Sequence, residues 1–448
     1  MIQRYHLLVR SPSGAECLVQ EHACGWLLPI AAGYPRTRAS AILQRRSAAI
    51  GAPGLPIVVA YGSYGERHHE ADWLGVLTAV ERVNAPALKW LPREELLAQS
   101  GLVEFQQASV RRYLNEENAS PQFMSPDWPH RARTWIDQQL GKRESTTGPM
   151  SVFRCAPSYV GARFETMRTP VYFKAVPRGR AFAEAALTCW FSQQAPESFA
   201  PTKGIDFEGG RWLGGHVDGV PLRKANSTVL EAVIREIVKL QIRFIDQAEQ
   251  LRVRGAWPAT IDSIEQKAID LLRDPPEQDL ERAPDMTTGS PDRTVRTIGQ
   301  TFEYLRTLDL PSSWVPLDIA PDNVIVADDR PVFIDVGDCW VGPAPAALEV
   351  LFQGLSGNQP ELLASPADRD RLKTAFVDAW SRQCSPNDLR RGLALMPLIV
   401  CIVQTLRGLE WIRTRTKEGE IIGFESHVRR LAVRRIIEAA AVQARAAV

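Results

Sequence analysis

The chain has almost no net charge: 53 Lys and Arg against 52 Asp and Glu leave +1 over 448 residues. So even a balance offers no general attraction to nucleic acid or to an anionic membrane surface, and neither is expected as a partner. Metal-clip spacing is missing as well. The seven cysteines, Cys17, Cys24, Cys155, Cys189, Cys339, Cys384 and Cys401, are odd in number and never spaced as CxxC. This argues against a zinc cluster or a disulfide framework and predicts reduced thiols in a cytoplasmic protein. No Walker A loop occurs, because Gly141-Lys142-Arg143 lacks both the preceding glycines and the following Ser or Thr. The first residues hold no apolar core of a signal peptide. The longest apolar run, LALMPLIVCIV at 393–403, is short for a bilayer and contains Pro397, so no membrane span is expected.

What is present is an ordinary globular composition, 45% hydrophobic and 23% charged, in a chain long enough for two or three domains. Residues 1–115 alternate strand-like runs (YHLLV, ECLVQ, PIVVAYGSY) with the helical pattern TRASAILQRRSAAIGA, and predict one α/β domain. Residues 116–150 are polar and Pro-bearing, and read as a connector with at most one short helix. From 151 a few strands precede long amphipathic helices. The polar stretch 273–294 has the composition of a loop.

One short span concentrates the chemistry. In WVPLDIAPDNVIVADDRPVFIDVGD, residues 314–338, two β-branched runs flank a turn and carry Asp318, Asn323 and Asp335 at their edges. The pattern predicts a β-hairpin whose carboxylates need a cationic partner, either a metal ion or an arginine. Phosphoryl transfer needs such a set: a carboxylate to take the acceptor proton, oxygen ligands for Mg²⁺, and a lysine on the phosphates.

These residues resemble the catalytic loop D-x-x-x-x-N and the metal-binding Asp of the aminoglycoside phosphotransferase and choline kinase branch of the protein-kinase-like fold. The resemblance covers roughly 151–448 and implies an N-lobe over 151–220 and a mainly helical C-lobe over 221–448. It further implies Asp318 as base, Asn323 and Asp335 on Mg²⁺, Lys174 of VYFKAV on the nucleotide phosphates, and Glu184 of FAEAAL as the partner of Lys174. The segment CAPSYVGARFET with Gly161 stands at the phosphate-loop position. ATP or GTP and a small hydroxylated acceptor are then the implied partners, in antibiotic resistance or secondary metabolism. Where the family has His-Gly-Asp or His-Asn-Asp, this chain has Pro316-Leu317-Asp318. A catalytically inactive, nucleotide-binding scaffold is the alternative.

The first 115 residues resemble a Nudix domain, which makes the whole an α+β protein: a Nudix-like α/β/α domain followed by a two-lobed kinase-like fold. The Nudix metal site needs glutamates on one helix face. Here the aligned positions are Arg45, Ala48 and Ala49, and no acidic residue occurs between Cys24 and Gly65. The resemblance therefore implies a degenerate module for packing, recognition or homodimerisation. His68 and His69 are adjacent on an extended segment and point to opposite faces, which makes them poor joint ligands.

Overall fold

The structure is a computed structural model. It describes residues 2–446 apart from 11–14, 23–24, 34–38, 51–53, 65–69, 80–85, 99–101, 103, 117–126, 142–143, 157–158, 177, 225–228, 274–290, 359–365 and 418–424. His68 and His69 and most of the polar stretch 273–294 lie outside the described residues. Contacts divide the chain into two compact units: Met1–Ala181 with Lys203–Gly215 and Ile412–Glu425, and Phe182–Thr202 with His216–Trp411 and Ser426–Val448. Among the described residues the result is a mixed helix and sheet architecture with mainly antiparallel sheets.

The first unit opens with β1 (Ile2–Arg10), β2 (Glu16–His22), β3 (Gly25–Leu27), β4 (Ile30–Gly33), α1 (Ala39–Ala49), β5 (Gly54–Tyr64), β6 (Glu70–Ala79) and β7 (Leu88–Pro92). The seven strands form one sheet of order β3-β2-β1-β6-β5, with β4 beside β1 and β7 beside β2. β1 and β6 run parallel from Ile2↔Glu70 to Arg10↔Thr78. Next come α2 (Arg93–Leu96), α3 (Glu104–Glu116) and α4 (Trp128–Leu140). On α1, Arg45, Ala48 and Ala49 are all exposed, and none can offer an oxygen to a hard cation.

A second sheet follows, made of β8 (Thr146–Ala156), β9 (Tyr159–Thr166), β10 (Val171–Ala175), β11 (Thr202–Asp206) and β12 (Arg211–Gly215), in the order β11-β12-β10-β9-β8. The helix α5 (Arg178–Gln194) lies between β10 and β11 in the chain. The connector expected over 116–150 falls inside this unit. Helix α4 from the expected connector buries Trp128, Ala132, Trp135 and Ile136, and its two indoles sit 6.2 and 6.0 Å from the Phe173 ring of β10. One apolar core thereby runs from Tyr5 to Leu213. A polar, Pro-bearing stretch looked like a linker because its four buried residues are thinly spread.

The second unit contains β13 (Val220–Pro221), α6 (Val229–Phe244), α7 (Ala248–Val253), α8 (Ile261–Arg273), α9 (Pro291–Arg306), β14 (Ser312–Pro316), β15 (Val324–Ala327), β16 (Arg330–Phe333), β17 (Cys339–Pro343), α10 (Ala346–Asn358), α11 (Pro366–Trp380), α12 (Pro386–Lys417) and α13 (Glu425–Ala446). Over Pro386–Glu410, α12 is long and apolar enough to cross a membrane by length and composition; 72% of its apolar window is buried inside the fold. The expectation from 393–403 stopped short because Pro397, inside the helix, does not end it. An aromatic cluster of Phe191, Phe199, Phe244, Trp314 and Phe333 fills the centre, with neighbouring rings 4.8 to 6.4 Å apart.

Candidate active site

The expected hairpin is present in the second unit. β15 pairs with β16 from Val324↔Phe333 to Ala327↔Arg330. The connection is Asp328-Asp329, both at positive φ (48° and 61°), as a two-residue type I′ turn requires. Pro331 sits on the outer strand of the order β13-β15-β16, where its missing N–H disrupts no ladder.

Asn323 and Asp335 both lie at the open end of the hairpin. The Ile334 N–H donates to the Asn323 carbonyl at 2.9 Å, which continues the ladder one step beyond the strands and places Asn323 beside the residue preceding Asp335. Asp335 is exposed and holds φ at +55°, a left-handed conformation that costs a non-glycine residue energy and recurs at functional sites. The Asn323 Nδ2 donates to the Asp318 carbonyl at 3.3 Å, tying the proposed metal ligand to the proposed base. Asn323 Oδ1 and the Asp335 carboxylate are hard oxygen donors, the kind Mg²⁺ takes, with waters and phosphate oxygens completing its shell. Among the described residues no group of three His, Cys, Asp and Glu side chains is arranged to hold a metal. The candidate set is an amide and a carboxylate.

The loop bearing Asp318 is braced from several sides. β14 pairs with β17 up to Pro316↔Cys339, and the Leu317 N–H donates to the Asp338 carbonyl at 2.9 Å. This pairing fixes the backbone where the family resemblance has histidine. Arg223 ion-pairs with Asp322, and an added Cβ on Gly354 of α10 would lie 2.6 Å from the Ile319 carbonyl. From inside, the fully buried Gln241 of α6 donates to the carbonyls of Trp314 (3.0 Å) and Ala344 (2.9 Å), and its own oxygen accepts from the Trp380 indole (3.3 Å).

Three further acidic side chains belong to the same unit: Glu184, Asp338 and Glu349. Glu184 lies against Gly337, so closely that an added Cβ there would overlap its Cγ. Sequence reasoning passed over Gly337, although the tripeptide Asp335-Val336-Gly337 was a legible signal. Asp338 pairs with Arg407 of α12 at 3.0 Å. Glu349 of α10 accepts from Gln353 at 3.1 Å; burial pushes its carboxyl above the usual range, against the pull of that hydrogen bond, Arg369 and Lys373.

In the first unit, Lys174 of β10 is the register partner of Gly161 on one side and Trp212 on the other. Its Nζ lies 4.8 Å from the Tyr159 ring centroid and 5.4 Å from that of Trp212. Gly161 leaves room for the Phe153 ring, which occupies the space a Cβ would take. So Asp318, Asn323, Asp335 and Glu184 belong to the second unit, and Gly161 and Lys174 to the first.

No protein-family model and no curated protein matches the chain. Among solved structures it is similar to the choline kinase LicA from Streptococcus pneumoniae, at 10% identity and TM-score 0.46 over 70% of this chain and 99% of that one. It is also similar to the macrolide 2'-phosphotransferase MphH from Brachybacterium faecium, at 14% identity and TM-score 0.45 over 68% and 97% of the two chains. A third is an aminoglycoside phosphotransferase, APH(4)-Ia, in complex with AMP-PNP and hygromycin B, at 13% identity and TM-score 0.36 over 68% and 98%. The solved structures that this chain is similar to are thus choline and ethanolamine kinases and macrolide and aminoglycoside phosphotransferases.

Proposed function

We propose that the protein is an ATP- or GTP-dependent phosphotransferase acting on a hydroxyl of a small molecule. The observation that carries this reading is the hairpin end, where the Asn323 carbonyl accepts from Ile334 next to Asp335 and the Asn323 amide reaches back to the Asp318 carbonyl. Asp318 orients the acceptor hydroxyl and takes its proton as that oxygen bonds to the γ-phosphorus; the bond to the β-phosphate oxygen breaks and nucleoside diphosphate leaves. Lys174 holds the phosphates, with Glu184 as its positioning partner and Gly161 in the strand alongside. Asn323 and Asp335 would hold Mg²⁺, which would neutralise phosphate charge when bound.

The first 115 residues serve in this reading as a degenerate Nudix-like module without hydrolase activity, for packing or homodimerisation, in a cytoplasmic enzyme. A scaffold that binds nucleotide without transferring phosphate is the second reading, favoured by Pro316-Leu317 in place of the family's histidine motif. A γ-phosphate transfer screen over hydroxylated metabolites and antibiotics, with ATP and GTP in parallel and mass-spectrometric detection, separates them. Phosphorylated product that vanishes in Asp318→Asn supports the enzyme; nucleotide binding without product from any acceptor supports the scaffold.

A further inference from the structure

Across the second sheet of the first unit, one cross-strand row reads Arg154, Gly161, Lys174, Trp212, each the register partner of the next. Directly paired residues share a face, and so does Tyr159, two positions before Gly161 on β9. The other face of the sheet is apolar: Ala162, Phe173 and Leu213, the next row, are buried in the core. Arginine and lysine therefore stand on the polar face with only a glycine between them. The register shifts between Val152 and Arg154, which makes Phe153 an extra residue whose ring lies over Gly161.

One aromatic ring serves both cations. The Arg154 guanidinium carbon lies 5.1 Å from the Tyr159 centroid, and Lys174 Nζ lies 4.8 Å from the same centroid. Two positive charges thereby stand within about 10 Å of each other, close to a Debye length at physiological salt. A ring's π-face offsets part of that repulsion. A guanidinium is suited to two phosphate oxygens at once, and the shared Tyr159 ring keeps Arg154 beside the lysine that holds the phosphates in the phosphotransferase reading. We infer that Arg154 is a second phosphate-binding cation, acting with Lys174 on the polyphosphate of the nucleotide, and that Tyr159 holds the two in place. The inference rests on the phosphotransferase reading and adds a residue that neither the catalytic loop nor the strand lysine supplies.

The test is a binding series with adenosine, AMP, ADP and ATP, by calorimetry, on the full chain and on Arg154→Gln, Arg154→Lys and Lys174→Ala. Arg154→Gln is expected to weaken ATP by about 10- to 100-fold while moving adenosine by less than about twofold, as for a charge-assisted contact made only to phosphate. Arg154→Lys keeps the charge and the aliphatic stem, so its ATP loss is expected to be smaller. The inference is overturned if Arg154→Gln binds ATP as tightly as the parent, or if it loses ATP and adenosine equally while Arg154→Lys does the same. Should Lys174→Ala lose ATP and Arg154→Gln not, the inference falls and the phosphotransferase reading stands. If the parent binds none of the four, both fall.

Discussion

The Arg407 Nε donates to Asp338 Oδ1 at 3.0 Å, and the carbonyl of that same Asp338 accepts the Leu317 N–H at 2.9 Å. Helix α12 is thereby linked through one residue to both halves of the candidate site: the segment after Asp335 and the residue before Asp318. The pair is partly exposed, with 33% and 42% of the side chains accessible, so its stability contribution is about 0–1 kcal/mol. Its larger effect is expected on geometry. Arg407→Gln should lower kcat about three- to tenfold while leaving nucleotide KM and the melting temperature nearly unchanged, since small misplacements of a reacting group are costly. Steady-state kinetics beside a thermal melt read both, and a large drop in melting temperature with normal kcat would contradict the linkage.

Asp318 and Asp335 should separate by what each touches. Asp318→Asn removes the proton acceptor and leaves the nucleotide's contacts intact, so kcat should fall by about 10²-fold or more with ATP affinity within about twofold of the parent. Asp335→Asn should abolish the Mg²⁺ dependence of nucleotide binding, read by titrating nucleotide with and without the ion. An Asp318→Asn variant that loses ATP binding as fully as turnover would mean its role is misassigned.

Gln241 is the buried amide on which the loop's approach depends. It sits fully buried, with its donors on Trp314 and Ala344 and its acceptor on Trp380. Gln241→Leu keeps the volume but strands two carbonyls and an indole N–H. A loss of about 2–4 kcal/mol in urea unfolding is expected, with a change under 1 kcal/mol indicating that water replaces the amide.

The β15–β16 hairpin was readable because its signals are local: β-branched runs, a two-aspartate turn and edge polar residues lie within the 25 consecutive positions 314–338. Lys174 and Glu184 are singled out by their order along the chain alone; Lys174 belongs to the first unit and Glu184 to the second. Gln241 left only a faint mark, a polar residue on the stripe Ile234, Ile237, Val238, Phe244, all of them buried. Its partners Trp314, Ala344 and Trp380 lie 73 to 139 residues away, beyond the reach of any helical periodicity. The same holds for the row from Arg154 to Trp212, which exists only once β8, β9, β10 and β12 are in register. Helix α4 was unreadable as a core element for a related reason. Its buried positions Trp128, Ala132, Trp135 and Ile136 acquire meaning only against Phe173 of β10.

That shared core leads to a prediction about the first domain. β5 and α1 pack directly on β8, and the apolar cluster from Tyr5 to Leu213 is continuous across both sheets. Removing residues 1–115 should expose that cluster and yield aggregated protein, read by size exclusion and light scattering. A monodisperse, active 116–448 fragment would show that the second sheet needs no such cover.

Glu349 provides a test by pH. Burial raises its pKa in the folded protein above the unfolded value, overcoming the downward pull of Gln353, Arg369 and Lys373. An acid with a raised folded pKa binds its proton more tightly when folded. Its favourable contribution is present below the unfolded pKa, about 4.3, and is lost as pH rises through the folded value. Above that value the ionised carboxylate is a liability to the fold. Glu349→Gln preserves the shape and the hydrogen-bonding capacity toward Gln353 without the charge. The variant should therefore melt higher than the parent at pH 7–8, and the gap should close as pH falls to about 4, where the parent is protonated in both states. Melting curves of the two proteins across that range decide it. A variant that melts lower than the parent at pH 8 would mean that Arg369 and Lys373 stabilise the carboxylate more than burial penalises it.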